Sequence, residues 1–148
     1  MKYQFLPERV LLGHPDIDFQ HEMLFFVMAG LHRLVKKEKD KRDPEVDLAH
    51  LESIFKLLDD YIVTHFSYEE ELMRTHHFPD TESHAMVHRK FENSMSAFRE
   101  KLAHAEDNPE RGLLAKRMLD FLYEWVNTHF PVIDRRFCDF LAAKEKNG

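Results

Sequence analysis

The chain has 148 residues and a formal net charge of −6 with histidine neutral. That length suits one domain with a core of its own, and the mild acidity excludes a nucleic-acid binder, which needs a basic surface. The single cysteine, Cys138, excludes an intramolecular disulfide and fits a reducing compartment. No apolar run follows Lys2 and none approaches about 18 residues, so neither a signal peptide nor a membrane span is expected, and the expected location is the cytoplasm. Glycine is scarce at four among many charged residues, which favours helices over sheets with tight turns.

An arm or loop, Met1 to Asp16, comes first. A helix is predicted over 17–39, where Ile17, His21, Leu24, Met28, Leu31 and Val35 step by four or three and so share one face. The run Lys36 to Arg42 is broken by Glu38 and Asp40 and reads as a solvated helix end and loop. A second helix, 44–76, carries Leu48, Leu51, Phe55, Leu58, Ile62, His65, Glu69 and Leu72. A third, 80–105, carries His84, His88, Phe91, Met95, Phe98 and Leu102, and a fourth, 109–130, carries Leu114, Met118, Leu122, Trp125 and His129. Asp43 before Pro44 and Asn108 before Pro109 read as N-caps followed by proline at the first helical position, and Asp80 or Thr81 can cap the third helix. A short helix over 132–143 follows Pro131. The expected fold is all-α: an up-down-up-down antiparallel four-helix bundle with an N-terminal arm and a short C-terminal helix.

Eleven histidines are many for this length, but their spacing carries more than their number. His21, His65, His84, His88 and His129 stand in register with leucines and phenylalanines, as does Glu69, and therefore point into the core. His65 and Glu69, like His84 and His88, are four apart and can reach one metal ion from one helix face. His129 and Asp134 are five apart, about 140° around an ideal α-helix. Pro131 between them removes a donor and clashes with the preceding turn, so a kink or stop there is expected to swing Asp134 back toward the centre. A buried polar group without a partner costs about 1–3 kcal/mol, and a domain is stable by only about 5–15 kcal/mol. So many in one core need something to satisfy them, and a metal does. His14, His32, His50, His76, His77 and His104 fall off these stripes or in loops, where surface or orienting roles are expected. Asp18, Gln20 and Glu70 flank the inward residues and can orient imidazoles by hydrogen bonds.

Several segments together resemble the hemerythrins, in particular the bacterial single-domain kind. They are Gly13; Ile17-Asp18-Phe19-Gln20-His21 with Leu24; His65-Phe66-Ser67-Tyr68-Glu69-Glu70 with Met73; Phe78-Pro79 with His84 and His88; and Trp125 with His129 and Asp134. The resemblance runs from about Phe5 to Asp134. It implies a single hemerythrin-like domain over 1–148, with the arm at 1–16, the bundle at 17–130 and the short helix at 132–143. It further implies a non-haem di-iron site in which His84, His88 and His129 hold one iron and His21 and His65 the other. Glu69, Asp134 and an oxo or hydroxo group would bridge the two. The iron with fewer histidines then keeps an open position for O2, which is expected to bind there as a hydroperoxide after taking one electron from each iron. Phe66, Trp125, Val126 and Phe130 are the expected residues of a dry apolar O2 pocket. The chain departs from the family pattern at Phe5, where an early tryptophan is usual, at Pro131, and at the larger aromatic Phe130.

Reversible O2 binding for storage, delivery (oxygen transport) or scavenging is the function the resemblance implies, with no catalytic residues and no enzymatic activity. The alternative is a sensor of O2, redox state or NO acting through a partner protein; no such partner is indicated, and neither nucleic acid nor membrane is expected as one. A ferritin-like oxidase is disfavoured because no Glu-x-x-His occurs. Five imidazoles would also accept zinc, and manganese stays open.

Overall fold

The computed structural model describes residues 12–40, 48–105 and 108–147. The helices are α1 Pro15–Asp40, α2 Leu48–Tyr61, a π-helical turn π1 Ile62–Phe66, α3 Ser67–Thr75, α4 Thr81–His104, α5 Asn108–Thr128, a second π-helical turn π2 His129–Asp134, and α6 Arg135–Asn147. Tyr61, Phe66 and Ser67 all keep right-handed helical dihedrals, so α2, π1 and α3 form one continuous rod. The same holds at Thr128 and Arg135, which join α5, π2 and α6. Four rods result, and among the described residues there is no strand. α1 packs on α2 and α5, and α4 packs on α3 and α5. Each rod thus touches the rods before and after it around a closed square, the up-down-up-down antiparallel bundle. No helix among the described residues is long and apolar enough to cross a membrane.

Two expectations change in detail. Pro131 neither stops nor breaks the fourth rod. The chain widens into π2 there and runs on to Asn147, beyond the expected end at 143. The physical reason is the proline itself: it cannot donate, and in an α-turn its ring would press on the carbonyl four residues back, a conflict that an i→i+5 turn relieves. At the start of α4, Asp80 occupies the cap position without a side-chain hydrogen bond; instead the Thr81 hydroxyl donates to the Phe78 carbonyl at 2.6 Å. The expected cap at Asp43–Pro44 and the arm residues Tyr3 and Phe5 lie outside the described residues.

The core is divided. A large apolar cluster fills one part of the bundle, with Leu24, Met28, Leu58, Tyr61, Phe66, Phe91, Met118, Leu122 and Phe130 among its members. A smaller cluster of Ile17, Met73, Phe78, Phe137, Cys138 and Leu141 closes the other end. Each fully buried Leu, Ile or Phe contributes about 1.5–3 kcal/mol, so both clusters clamp what lies between them.

The turn from α3 to α4 locks the smaller cluster. His77 N–H donates to Arg74 O at 3.2 Å and Phe78 N–H to Met73 O at 2.9 Å, a Schellman closure that brings Phe78 onto Met73. It requires a left-handed residue, and His77 takes that role with φ 55°. A side chain there costs about 1–2 kcal/mol, part of which glycine gives back in unfolded-state entropy. His77→Gly is therefore expected to raise unfolding stability by about 0.5–1 kcal/mol, read by urea titration; an unchanged or lower midpoint would contradict that strain.

Candidate metal centre

Between the two apolar clusters lies a layer of seven polar side chains. α1 supplies His21, one turn after Ile17 and one before Leu24. π1 supplies His65 and α3 supplies Glu69. α4 supplies His84 and His88, and π2 supplies His129 and Asp134. His21, His65, Glu69, His88, His129 and Asp134 are fully buried, and His84 is 3% exposed, so bulk water does not satisfy them. The π geometry of the fourth rod brings Asp134 into the layer. Five residues separate it from His129, and an i→i+5 turn stacks such residues one above the other where an α-turn splays them apart.

The two carboxylates are surrounded by imidazoles. Asp134 Oδ2 lies 2.8 Å from His21 Nε2 and 3.7 Å from His65 Nε2, and Oδ1 lies 3.0 Å from His84 Nε2 and 2.7 Å from His129 Nε2. Glu69 Oε2 is 2.9 Å from His65 Nε2, and Oε1 is 2.6 Å from His84 Nε2. Most of these close approaches are not hydrogen bonds. His65 Nε2, both Glu69 oxygens, His84 Nε2, His88 Nε2, His129 Nε2 and Asp134 Oδ1 have no partner of acceptable geometry among the described residues. Near atoms whose lone pairs do not face each other are what donors converging on shared points look like. They form two sets whose ligand atoms lie within 4.8 Å of one another: Glu69, His84, His88, His129 and Asp134; and His21, His65, Glu69 and Asp134. Both carboxylates belong to both sets. Buried orphan atoms and a donor set of imidazoles and carboxylates fit a pair of metal ions.

Outer contacts aim two of the rings. His65 Nδ1–H donates to Gln20 Oε1 at 2.7 Å, and His88 Nδ1–H to Glu70 Oε2 at 3.1 Å, which leaves each Nε2 lone pair facing the layer. Glu70 is itself held by Arg89 at 2.5 Å and by Arg74 at 3.6 Å. Among the described residues Asp18 holds backbone rather than an imidazole. Its carboxylate accepts the Leu12 and Gly13 N–H groups at 2.8 and 3.2 Å and fixes the chain entering α1.

Aromatic rings pack flat on four imidazoles. Phe130 stacks on His21 at 3.5 Å and 11°, Phe66 on His88 at 3.9 Å and 4°, Trp125 on His129 at 3.9 Å and 13°, and Tyr61 on His65 at 5.2 Å and 15°. Such rings fix the imidazole planes and keep the large-cluster side of the layer dry. Val126 is buried in the same cluster. On the opposite side, a surface cavity of about 190 Å³ lined by Phe78, Asp80, Ser83, His84, Val87, Ile133 and Arg136 reaches His84 from outside.

Burial and charge act against each other here. Burial disfavours charged His65 and His84, yet Glu69 and Asp134 outweigh it and push both up to about 9. Burial, reinforced by His84 and His129, pushes His88 far down, and burial lowers His21 despite Asp134. Burial would raise Asp134, but the imidazoles facing it hold its carboxyl well below the usual range. Burial and then Asp134 raise Tyr61 far above the ordinary phenol range, so its hydroxyl keeps its proton.

All seven expected ligand residues thus meet in one layer, and the four expected pocket residues lie in the cluster beside it. His14, His32, His50, His76, His77 and His104 stay outside the layer. The aromatic that sequence reasoning misses is Tyr61. The signal was available: it precedes His65 by four residues and so shares its face.

Residues 12–141 match the family described as the hemerythrin HHE cation binding domain. The chain is similar to the bacteriohemerythrin of Clostridium acetobutylicum, at 28% identity over 130 residues that cover 86% of this chain and 93% of the relative. It is also similar to the bacteriohemerythrin of Stenotrophomonas maltophilia, at 25% identity over 132 residues that cover 89% of this chain and 77% of the relative. The matched span contains every residue of the buried layer, and the chain belongs to the hemerythrin family.

Proposed function

We propose that this chain is a single hemerythrin domain that holds two iron ions and binds O2 reversibly, as a carrier for storage, delivery or scavenging rather than as an enzyme. The observation that carries this reading is the division of the layer. Three histidines, His84, His88 and His129, share Glu69 and Asp134 with two others, His21 and His65. One metal would therefore have one protein donor fewer than its neighbour, and a vacant position is what a small ligand needs. A ferrous pair held there would supply the electrons for binding O2. The protein's part is to hold both ions through shared carboxylates, to fix the imidazoles, and to exclude water on the side lined by Phe66, Trp125, Val126 and Phe130.

Protein loaded with ferrous iron without air should develop a visible charge-transfer band on exposure to O2 and lose it on deoxygenation, over repeated cycles. Immediate conversion to a ferric form with no such reversible band would sink the proposal. The outer contacts make a second expectation. Gln20→Ala frees the His65 ring to turn, and loss of such a contact weakens metal binding by about 10–100-fold. Competition with a chelator reads this directly; unchanged affinity would show that Gln20 does not orient His65.

A further inference from the structure

The expected pocket is wholly apolar, but the structure places two polar atoms in it. The Tyr61 hydroxyl and the Trp125 indole Nε1 are both buried, and neither has a hydrogen bond of acceptable geometry among the described residues. The two groups are close enough for the indole N–H to act on the hydroxyl, which also lies within electrostatic reach of Asp134 and Glu69. Their rings stack on imidazoles from the large apolar cluster, Tyr61 on His65 and Trp125 on His129. The hydroxyl thus lies near an indole donor and the shared carboxylates, on a ring packed against the histidine of the less crowded set.

An orphaned buried hydroxyl is costly, and phenylalanine would fill the same space without it. A hydroxyl can accept and donate, whereas an indole can only donate. The two therefore have one productive order: Trp125 N–H donates to the Tyr61 oxygen, and the Tyr61 O–H is left to donate onward.

Resting on the di-iron reading above, we propose that Tyr61, oriented by Trp125, donates a hydrogen bond to a small ligand carrying negative charge at the metal held by His21 and His65, and so sets how tightly such ligands are kept. Neutral ligands without a charged or dipolar outer atom gain nothing from this donor, which makes it a determinant of ligand choice as well as affinity.

Azide on the iron-loaded, oxidised protein is the probe, because it has no exchangeable proton of its own. Its affinity is read from the charge-transfer band, and its antisymmetric stretch by infrared in H2O and D2O. The parent protein should show a solvent-isotope shift of that stretch. Tyr61→Phe should load iron as the parent does, lose the shift, and bind azide about tenfold more weakly, the loss of one hydrogen bond to a charged group. Trp125→Phe should keep a smaller shift, since its hydroxyl is present but unoriented. Unchanged azide affinity or a retained shift in Tyr61→Phe overturns the donor assignment and leaves the di-iron reading standing. Failure of the parent itself to take up iron and azide overturns both.

Discussion

Asp134→Ala is expected to reduce bound metal from two ions per chain to one or none and to abolish O2 binding. The Asp134 carboxylate faces both halves of the layer. Oδ2 approaches His21 and His65, and Oδ1 approaches His84 and His129, at 2.7 to 3.7 Å. Among the described residues no other side chain on the fourth rod reaches both sets, and Glu69 on its own would leave each ion one anionic donor short. Breaking a buried charged contact costs about 3–5 kcal/mol, which at about 1.4 kcal/mol per tenfold is roughly two to three and a half orders of magnitude in affinity. Asp139→Ala removes a carboxylate from the same rod at an exposed position and should leave the metal content unchanged. Metal analysis after chelator challenge separates the outcomes; two ions retained by Asp134→Ala would remove Asp134 from the ligand set.

Metal removal is expected to destabilise the protein and to make its stability fall as pH rises. Without metal, the buried orphan atoms of Glu69, His65, His84, His88, His129 and Asp134 each cost about 1–3 kcal/mol unless protons satisfy them. A net loss of about 5 kcal/mol would lower the melting temperature by roughly 10–20 °C. Protons can stand in for metal in part, because Glu69 and Asp134 lift His65 and His84 from 6.5 to about 9 in the folded state. A raised folded pKa contributes stability that is fully present below the unfolded value of 6.5 and is lost as pH climbs through 9. Each imidazole is worth on the order of 3 kcal/mol by this linkage. The lowered carboxyl of Asp134 acts in the acid range instead, near and below its ordinary 3.8. Metal-free protein should therefore weaken steadily between pH 6.5 and 9 in urea titrations, while metal-loaded protein, with ions in place of the protons, should not. A flat or rising metal-free profile in that window would contradict the arrangement of charges.

The bundle and six of the seven layer residues can be read from sequence because burial imposes its own period. His21, His65, Glu69, His84, His88 and His129 sit where a leucine or phenylalanine would keep the stripe intact. Asp134 obeys no α-helical period. Its inward position depends on π2, a backbone adjustment that neither propensity nor the hydrophobic stripe records, and the proline that signals a disturbance does not say whether the rod ends or widens. A widened turn keeps the backbone bonded and extends the rod to Asn147, which is why the short separate helix expected after Pro131 is in fact α6 of a continuous rod. Tyr61 illustrates a different gap. A stripe followed through Leu58, Ile62 and His65 passes over it, although it shares the His65 face at a spacing of four. Its unpartnered hydroxyl is visible only once its neighbours are placed.

What the layer holds decides whether the chain is a di-iron protein. Protein purified without air and without added metal should contain two iron ions per chain, with zinc and manganese at trace levels, and should fall to one or none on Asp134→Ala. A preparation that retains all seven layer residues yet carries a single ion per chain, or zinc in place of iron, would contradict the di-iron reading.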